Sequence, residues 1–264
     1  TPADLEAVRD AARALGKTPF LIAKIERAGA LKHLDGILKA ADGVMVARGD
    51  LGVEVPIEEM ALLQKQMIAK ASLVGKPVIT ATQMLESMVA HRLPTRAEAT
   101  DVANTVLDGT DCLMLSGESA IGRYPEEAVT MLARIAAFTE AHRPPVRLDD
   151  LKALSDPQLP FTASEAIAAL VEHALETVPC AAVFVPTRTG TTARMISRFN
   201  PRVWIVALSG DRAVCQGLAF SYGVHPIELA DEPEQWPDFA RQWLSTQRVP
   251  GALAALVAGP SARN

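Results

Sequence analysis

Six polar residues close short apolar runs in the first half of the chain. Lys24 and Glu26 end FLIAKIE, Asp50 follows GVMVARG, Thr82 follows PVITA, and Ser116 and Glu118 follow CLML. Side chains two apart in a strand share a face, so Lys24 and Glu26 should point the same way. Two carboxylates near one ammonium suit a divalent cation and an anionic substrate. Glu26 and Asp50 offer the hard oxygens Mg²⁺ prefers, and Lys24 offers a point charge for phosphate or an enolate. A single lysine or aspartate at a strand end is ordinarily a solvated rim residue, but several at successive strand ends favour a site. Gly49 and Gly52 read either as turn glycines or as positions whose missing Cβ lets backbone N–H groups approach a carboxylate. The triplet Arg48-Gly49-Asp50 also matches an adhesion ligand.

The elements that must position these residues form a β/α series. FLIAKIE (20–26), GVMVA (43–47), PVITAT (77–82) and CLMLSGE (112–118) are nearly continuous in apolar residues, as parallel strands covered on both faces are. Amphipathic stretches around 30–40, 57–74, 98–107 and 125–142 predict the helices between and after them. The chain opens with a helix-start signal, Thr1-Pro2-Ala3-Asp4, and no strand before it. Polar groups at the carboxyl ends of such strands stand where parallel α/β folds carry their active sites.

Residues 143–162 carry four prolines and mixed charge and predict a boundary. The expected division is a first domain over 1–143, a linker over 144–162 and a second α/β domain over 163–264. In the second domain, helix 163–178 leads to the strands AAVFVP, VWIVAL, VHPIEL and LAALVA, with helices near 190–198, 211–221 and 234–247. This pattern predicts a small doubly wound, mostly parallel sheet. PTRTGTTARMISRFNP (186–201) follows a strand and opens a helix. Thr187, Arg188, Thr189, Gly190, Thr191 and Thr192 read equally as a phosphate cradle or as an ordinary Thr-rich cap.

The bulk numbers narrow the setting. The chain has 264 residues, 49% hydrophobic and 22% charged, with a net charge of −5. That composition excludes disorder and argues against a general nucleic-acid binder. No apolar run approaches the roughly 20 residues of a membrane span, and no signal-peptide pattern is seen at Thr1. Cys112, Cys180 and Cys215 are far apart in apolar settings, as reduced thiols of a cytoplasmic protein are. The five histidines have no metal spacing, and Met84, Met88, Met114, Trp236 and Trp243 read as packing residues.

The blocks IAKIERAGALKHLDGILKAADGVMVARGDLGVEVP, GKPVITATQMLESM and PTRAEATDVANTVLDGTDCLMLSGESAIGRYPEEAV resemble the pyruvate kinases, and the likeness runs over almost the whole chain. The adhesion reading of Arg48-Gly49-Asp50 then falls, because the triplet lies within ARGDLG, an active-site loop of that family.

The resemblance implies the last four strands of a TIM (β/α)8 barrel followed by an α/β regulatory domain. It implies transfer of phosphate from phosphoenolpyruvate to ADP, giving pyruvate and ATP in glycolysis. Lys24 would stabilise the phosphoryl group in flight. Glu26 and Asp50 would hold Mg²⁺ or Mn²⁺, and the amides of Gly49 and Asp50 would bind the substrate carboxylate. Thr82 would stand beside that carboxylate and near the proton delivered to the enolate; Ser116 and Glu118 match the family's LSGE motif. Arg48 would organise the loop or an interface. Residues 187–192 would take a sugar-phosphate or nucleotide effector. A cytoplasmic homotetramer is implied, with no nucleic-acid or membrane partner.

By the same resemblance the first half of the barrel, the lid domain and the K⁺ ligands would precede Thr1, and one more strand would follow Asn264. The segment alone is accordingly expected to show little turnover and to associate through open strand edges near residues 20 and 112. Two other readings remain: a metal-dependent lyase of the wider phosphoenolpyruvate/pyruvate superfamily, such as an aldolase or oxaloacetate decarboxylase, and a non-catalytic effector-binding module.

Overall fold

The computed structural model describes residues 1–154, 162–231 and 233–257. They fall into two compact units that meet in sequence at Pro144 and Pro145. The break lies within the proline-rich stretch.

The first unit repeats strand and helix. Its elements are α1 (Pro2–Ala14), β1 (Ile22–Ile25), α2 (Ala28–Leu31), α3 (Leu34–Ala40), β2 (Gly43–Ala47), α4 (Arg48–Glu54) and α5 (Met60–Leu73). After these come β3 (Val78–Ala81), α6 (Arg96–Leu107), β4 (Cys112–Met114), α7 (Gly117–Ala120) and α8 (Pro125–His142). The strands pair in parallel and in chain order, β1-β2-β3-β4, as successive staves of a β/α barrel wall do. In β2 and β3 neighbouring residues are buried alike, Val46 with Ala47 and Val78 with Ile79, so these two strands are covered on both faces, as unbroken apolar runs require. Within β1 the side chains alternate: Ala23 and Ile25 are buried, whereas Lys24 is exposed.

Two expected helices are remodelled. The stretch 30–40 divides into α2 and α3 at Lys32–His33, and Leu34, Ile37 and Leu38 of α3 then lie in the core. The stretch after Pro56 begins as a 3₁₀ turn, Ile57–Glu59, before α5. At the amino-terminal side of the sheet, Asp42 accepts from Leu21 N at 2.8 Å and pairs with Arg9 of α1 at 2.7 Å.

In the second unit, α9 (Leu148–Leu154) and α10 (Ala163–Thr177) precede β5 (Cys180–Pro186), α11 (Thr191–Ser197), β6 (Trp204–Ser209) and α12 (Arg212–Leu218). The unit ends with β7 (Val224–Glu228), α13 (Trp236–Thr246) and β8 (Leu253–Leu256). The stretch expected as a connector thus carries α9, whose Leu151 is buried in this unit's core. Its remainder, 155–161, lies outside the described residues, as does Ala258 at the end of the last expected strand.

All strands of this sheet are parallel, in the order β7-β6-β5-β8. Alternate side chains face opposite layers. Val183, Val185, Ile205 and Ala207 pack with residues of α10 and α11, while Ala182, Phe184, Val206 and Leu208 pack with Trp243 and Leu244 of α13. This is the doubly wound arrangement, and the strand order reverses at β5, where ligands of such sheets bind.

Candidate active site

β2 ends at Ala47, and the chain turns at once into α4, so Arg48, Gly49 and Asp50 form its first turn. Asp50 thereby comes level with the end of β1. The Lys24 ammonium lies 2.5 Å from Glu26 Oε2 and 2.9 Å from Asp50 Oδ2. The three side chains are between 38% and 58% exposed, so solvent and solutes reach them. Glu26 first, and Asp50 with it, push the Lys24 ammonium up to about 12. The same ammonium holds the Asp50 carboxyl below its ordinary range. Lys24 is therefore a permanent cation and Asp50 an anion at neutral pH.

Thr82 follows β3 and reaches the same loop: its Oγ1 accepts from Gly49 N at 2.8 Å. A Cβ on Gly49 would lie 3.2 Å from that oxygen, so the close approach favours glycine here. Thr82 and Gln83 both have left-handed backbone, with φ of 70° and 53°. For a β-branched residue this is a strained conformation, and such strain gathers at functional sites.

Arg48 holds the strained pair. Its guanidinium donates to Thr82 O at 2.9 and 3.1 Å and to Gln83 O at 2.8 Å. Asp101 of α6 supplies the counter-charge, Oδ2 lying 2.7 Å from Arg48 Nη1. Gln64 of α5 adds a longer contact at 3.4 Å and donates onward to Thr105 and Asp108. Arg48 is buried, and its role is to shape the loop. A cavity of about 550 Å³ opens beside it, lined by Gly52, Val53, Ile57, Gln64, Asp101 and Asn104 among others; Lys24, Glu26 and Asp50 do not line it.

Glu118 is fully buried, and its carboxylate accepts from Leu85 N at 3.0 Å and Ser116 N at 2.8 Å. It ties the loop after β4 to the loop after β3, a bracing role the sequence did not disclose. Glu98 of α6 braces that second loop too, accepting from the amides and hydroxyls of both Ser87 and Thr95 at 2.5–2.9 Å. The T-R-A-E spacing of a capping box, Thr95 to Glu98, is the sequence signal for it.

Glu26 and Asp50 converge on one cation position, which fits a hard divalent ion. Among the described residues no group of three or more His, Cys, Asp or Glu could hold a metal, so such an ion would complete its shell with water or substrate oxygens, as Mg²⁺ ordinarily does.

In the second unit, residues 187–192 span the end of β5 and the start of α11. Gly190 has left-handed backbone and caps α11, and its amide donates to Thr187 Oγ1 at 2.9 Å. Thr189 and Thr191 share a hydroxyl contact at 2.9 Å, and Arg194 Nη2 donates to Thr189 O at 2.8 Å. Arg188 and Thr189 are exposed, and Thr191 and Thr192 half-buried.

Residues 1–129 match the family model "Pyruvate kinase, barrel domain", and residues 165–252 match "Pyruvate kinase, alpha/beta domain". The chain belongs to the pyruvate kinase family. A pyruvate kinase of Thermococcus litoralis is 56% identical over 210 residues, which are 79% of this chain and 44% of that protein. The human pyruvate kinase PKLR is 44% identical over 239 residues, 89% of this chain and 41% of its own length. A crystal structure of a pyruvate kinase from Cryptosporidium parvum superposes with a TM-score of 0.90 at 38% identity, covering 98% of this chain and 55% of that one. The chain thus spans less than half the length of these curated pyruvate kinases. Its first unit is part of the family's barrel, and its second is the α/β domain.

Proposed function

We propose that the chain carries one wall of a phosphotransferase site that moves the phosphoryl group of phosphoenolpyruvate to ADP, giving pyruvate and ATP. The observation that carries this reading is the convergence of Lys24, Glu26 and Asp50, with the Gly49 amide and Thr82 hydroxyl beside them. Phosphoryl transfer asks for positioning and charge neutralisation more than covalent chemistry, and these groups supply both.

Lys24 donates to the phosphoryl oxygens as they leave the three-carbon acid. The amides of Gly49 and Asp50, at the start of α4, receive the substrate carboxylate. Thr82 flanks that carboxylate and stands near the carbon that gains a proton. Glu26 and Asp50 would hold Mg²⁺ or Mn²⁺, which when bound neutralises charge on the phosphoryl and enolate oxygens. No residue of this chain is assigned to K⁺ or to the nucleotide. Residues 187–192 are the proposed effector loop; exposed Arg188, and their place at the strand-order reversal, support a phosphate-bearing ligand. A cytoplasmic homotetramer accords with the family. Among the described residues no helix is long and apolar enough to cross a membrane.

The test is exchange of the pyruvate methyl protons with D₂O in the presence of Mg²⁺, followed by NMR, beside ATP formation from phosphoenolpyruvate with K⁺ added. Methyl exchange that Lys24→Ala abolishes supports the reading. Release of pyruvate from oxaloacetate without ATP formation from phosphoenolpyruvate would point to a lyase instead. Effector binding with neither activity, unchanged by Lys24→Ala, would point to a binding module.

A further inference from the structure

We propose that Lys24 is a displaceable internal counter-ion: its ammonium holds Glu26 and Asp50 together until a divalent cation replaces it, and cation loading frees it for the anionic substrate. The inference rests on the metal-site reading above and concerns what the lysine does before substrate arrives.

Glu26 follows β1 and Asp50 lies in α4 after β2, so the two carboxylates belong to different elements and repel one another. The ammonium between them, 2.5 Å from one and 2.9 Å from the other, offsets that repulsion. The oxygens it occupies are the ones a hard dication would need. An ammonium and a dication cannot share them at contact distance, because like charges repel there. All three side chains are substantially exposed, and exposed ion pairs are weak, so the exchange is easy.

The charge count sets the order of events. One ammonium against two carboxylates leaves the cluster net negative, which repels a phosphorylated acid. A bound dication reverses the sign, and the released Lys24 then presents its donors outward on a flexible stem. Cation binds first and substrate second.

Mn²⁺ titration followed by electron paramagnetic resonance, without substrate, tests this on the whole chain. Lys24→Gln should bind Mn²⁺ at least about tenfold more tightly than the unmodified protein, since a competitor is gone. Lys39→Gln removes the same charge from the last turn of α3, before β2 begins, and should change affinity less than about twofold. Lys24→Arg keeps a cation between the carboxylates and should bind no more tightly than the unmodified protein. Equal affinity in Lys24→Gln and Lys39→Gln, or tight binding by Lys24→Arg, overturns the inference and leaves the metal site standing. Absence of Mn²⁺ binding in every form overturns the metal site itself, and the inference with it.

Discussion

Arg48 and Thr82 are joined across two strand ends: a buried guanidinium donates to the carbonyl of a threonine whose backbone is left-handed. The same guanidinium donates to the next carbonyl, that of Gln83, which is left-handed as well. Residues in such conformations cost roughly 1–3 kcal/mol each and persist only where neighbours over-determine them. Arg48 is that neighbour, and through it the Thr82 hydroxyl is brought to Gly49.

Arg48→Met should therefore do more than remove a charge. It leaves the Thr82 and Gln83 carbonyls and Asp101 without their donor. Breaking a buried pair costs about 3–5 kcal/mol, and half-exposed Asp101 brings the expected loss toward about 3 kcal/mol. Denaturant unfolding measures it. A loss below about 1 kcal/mol would show that the loop holds its shape without the guanidinium.

Gln83→Gly should act in the opposite direction. The left-handed region costs a side-chain-bearing residue roughly 1–2 kcal/mol. Glycine's added freedom in the unfolded chain gives back about 0.5–1 kcal/mol of that. The net expectation is a stabilisation of up to about 1 kcal/mol, with the Arg48 contact to this carbonyl kept. The same unfolding measurement checks the sign.

Glu98 gives the first unit an acid-sensitive brace. Burial alone would raise its carboxyl, but the donors on Ser87 and Thr95 outweigh burial and hold it below its ordinary value of 4.5. A depressed carboxylate stabilises above its unfolded pKa, and the stabilisation disappears as pH falls through the folded one. The unfolding midpoint should thus fall between pH 5 and more acidic conditions, less steeply in Glu98→Gln than in the unmodified protein. Parallel pH profiles for the two would refute the brace.

Gly190→Ala should destabilise the second unit. The added Cβ would meet Arg194 Nη1 and Leu218 Cδ2 at 2.9 Å, and φ there is +77°. Left-handed strain and crowding together are expected to cost about 2 kcal/mol, and ligand binding at residues 187–192 should weaken in step. Calorimetric unfolding and titration with sugar phosphates or AMP measure the two effects.

Much of this was legible in the sequence, for local reasons. Period-two alternation put Lys24 beside Glu26, the strand-end position put Asp50 and Thr82 on one rim, and unbroken apolar runs announced parallel strands. What stayed hidden depends on partners distant in the chain. Arg48 finds its carboxylate at Asp101, on the helix after the next strand. Glu118 spends both oxygens on the amides of Leu85 and Ser116, which its motif alone does not say. The left-handed Thr82 and Gln83 carry no glycine to announce them. The division of 30–40 into two helices follows from packing Leu34, Ile37 and Leu38 into the core, and α9 forms within a stretch whose prolines suggested only a break.

The bond from the Gly49 amide to the Thr82 oxygen has an outcome for timing. An incoming anion that claims this amide must evict the threonine as its acceptor. Docking and the release of the threonine oxygen from its amide are then one event, so the hydroxyl keeps a fixed aim while the pocket is empty and is free to turn once an anion has arrived.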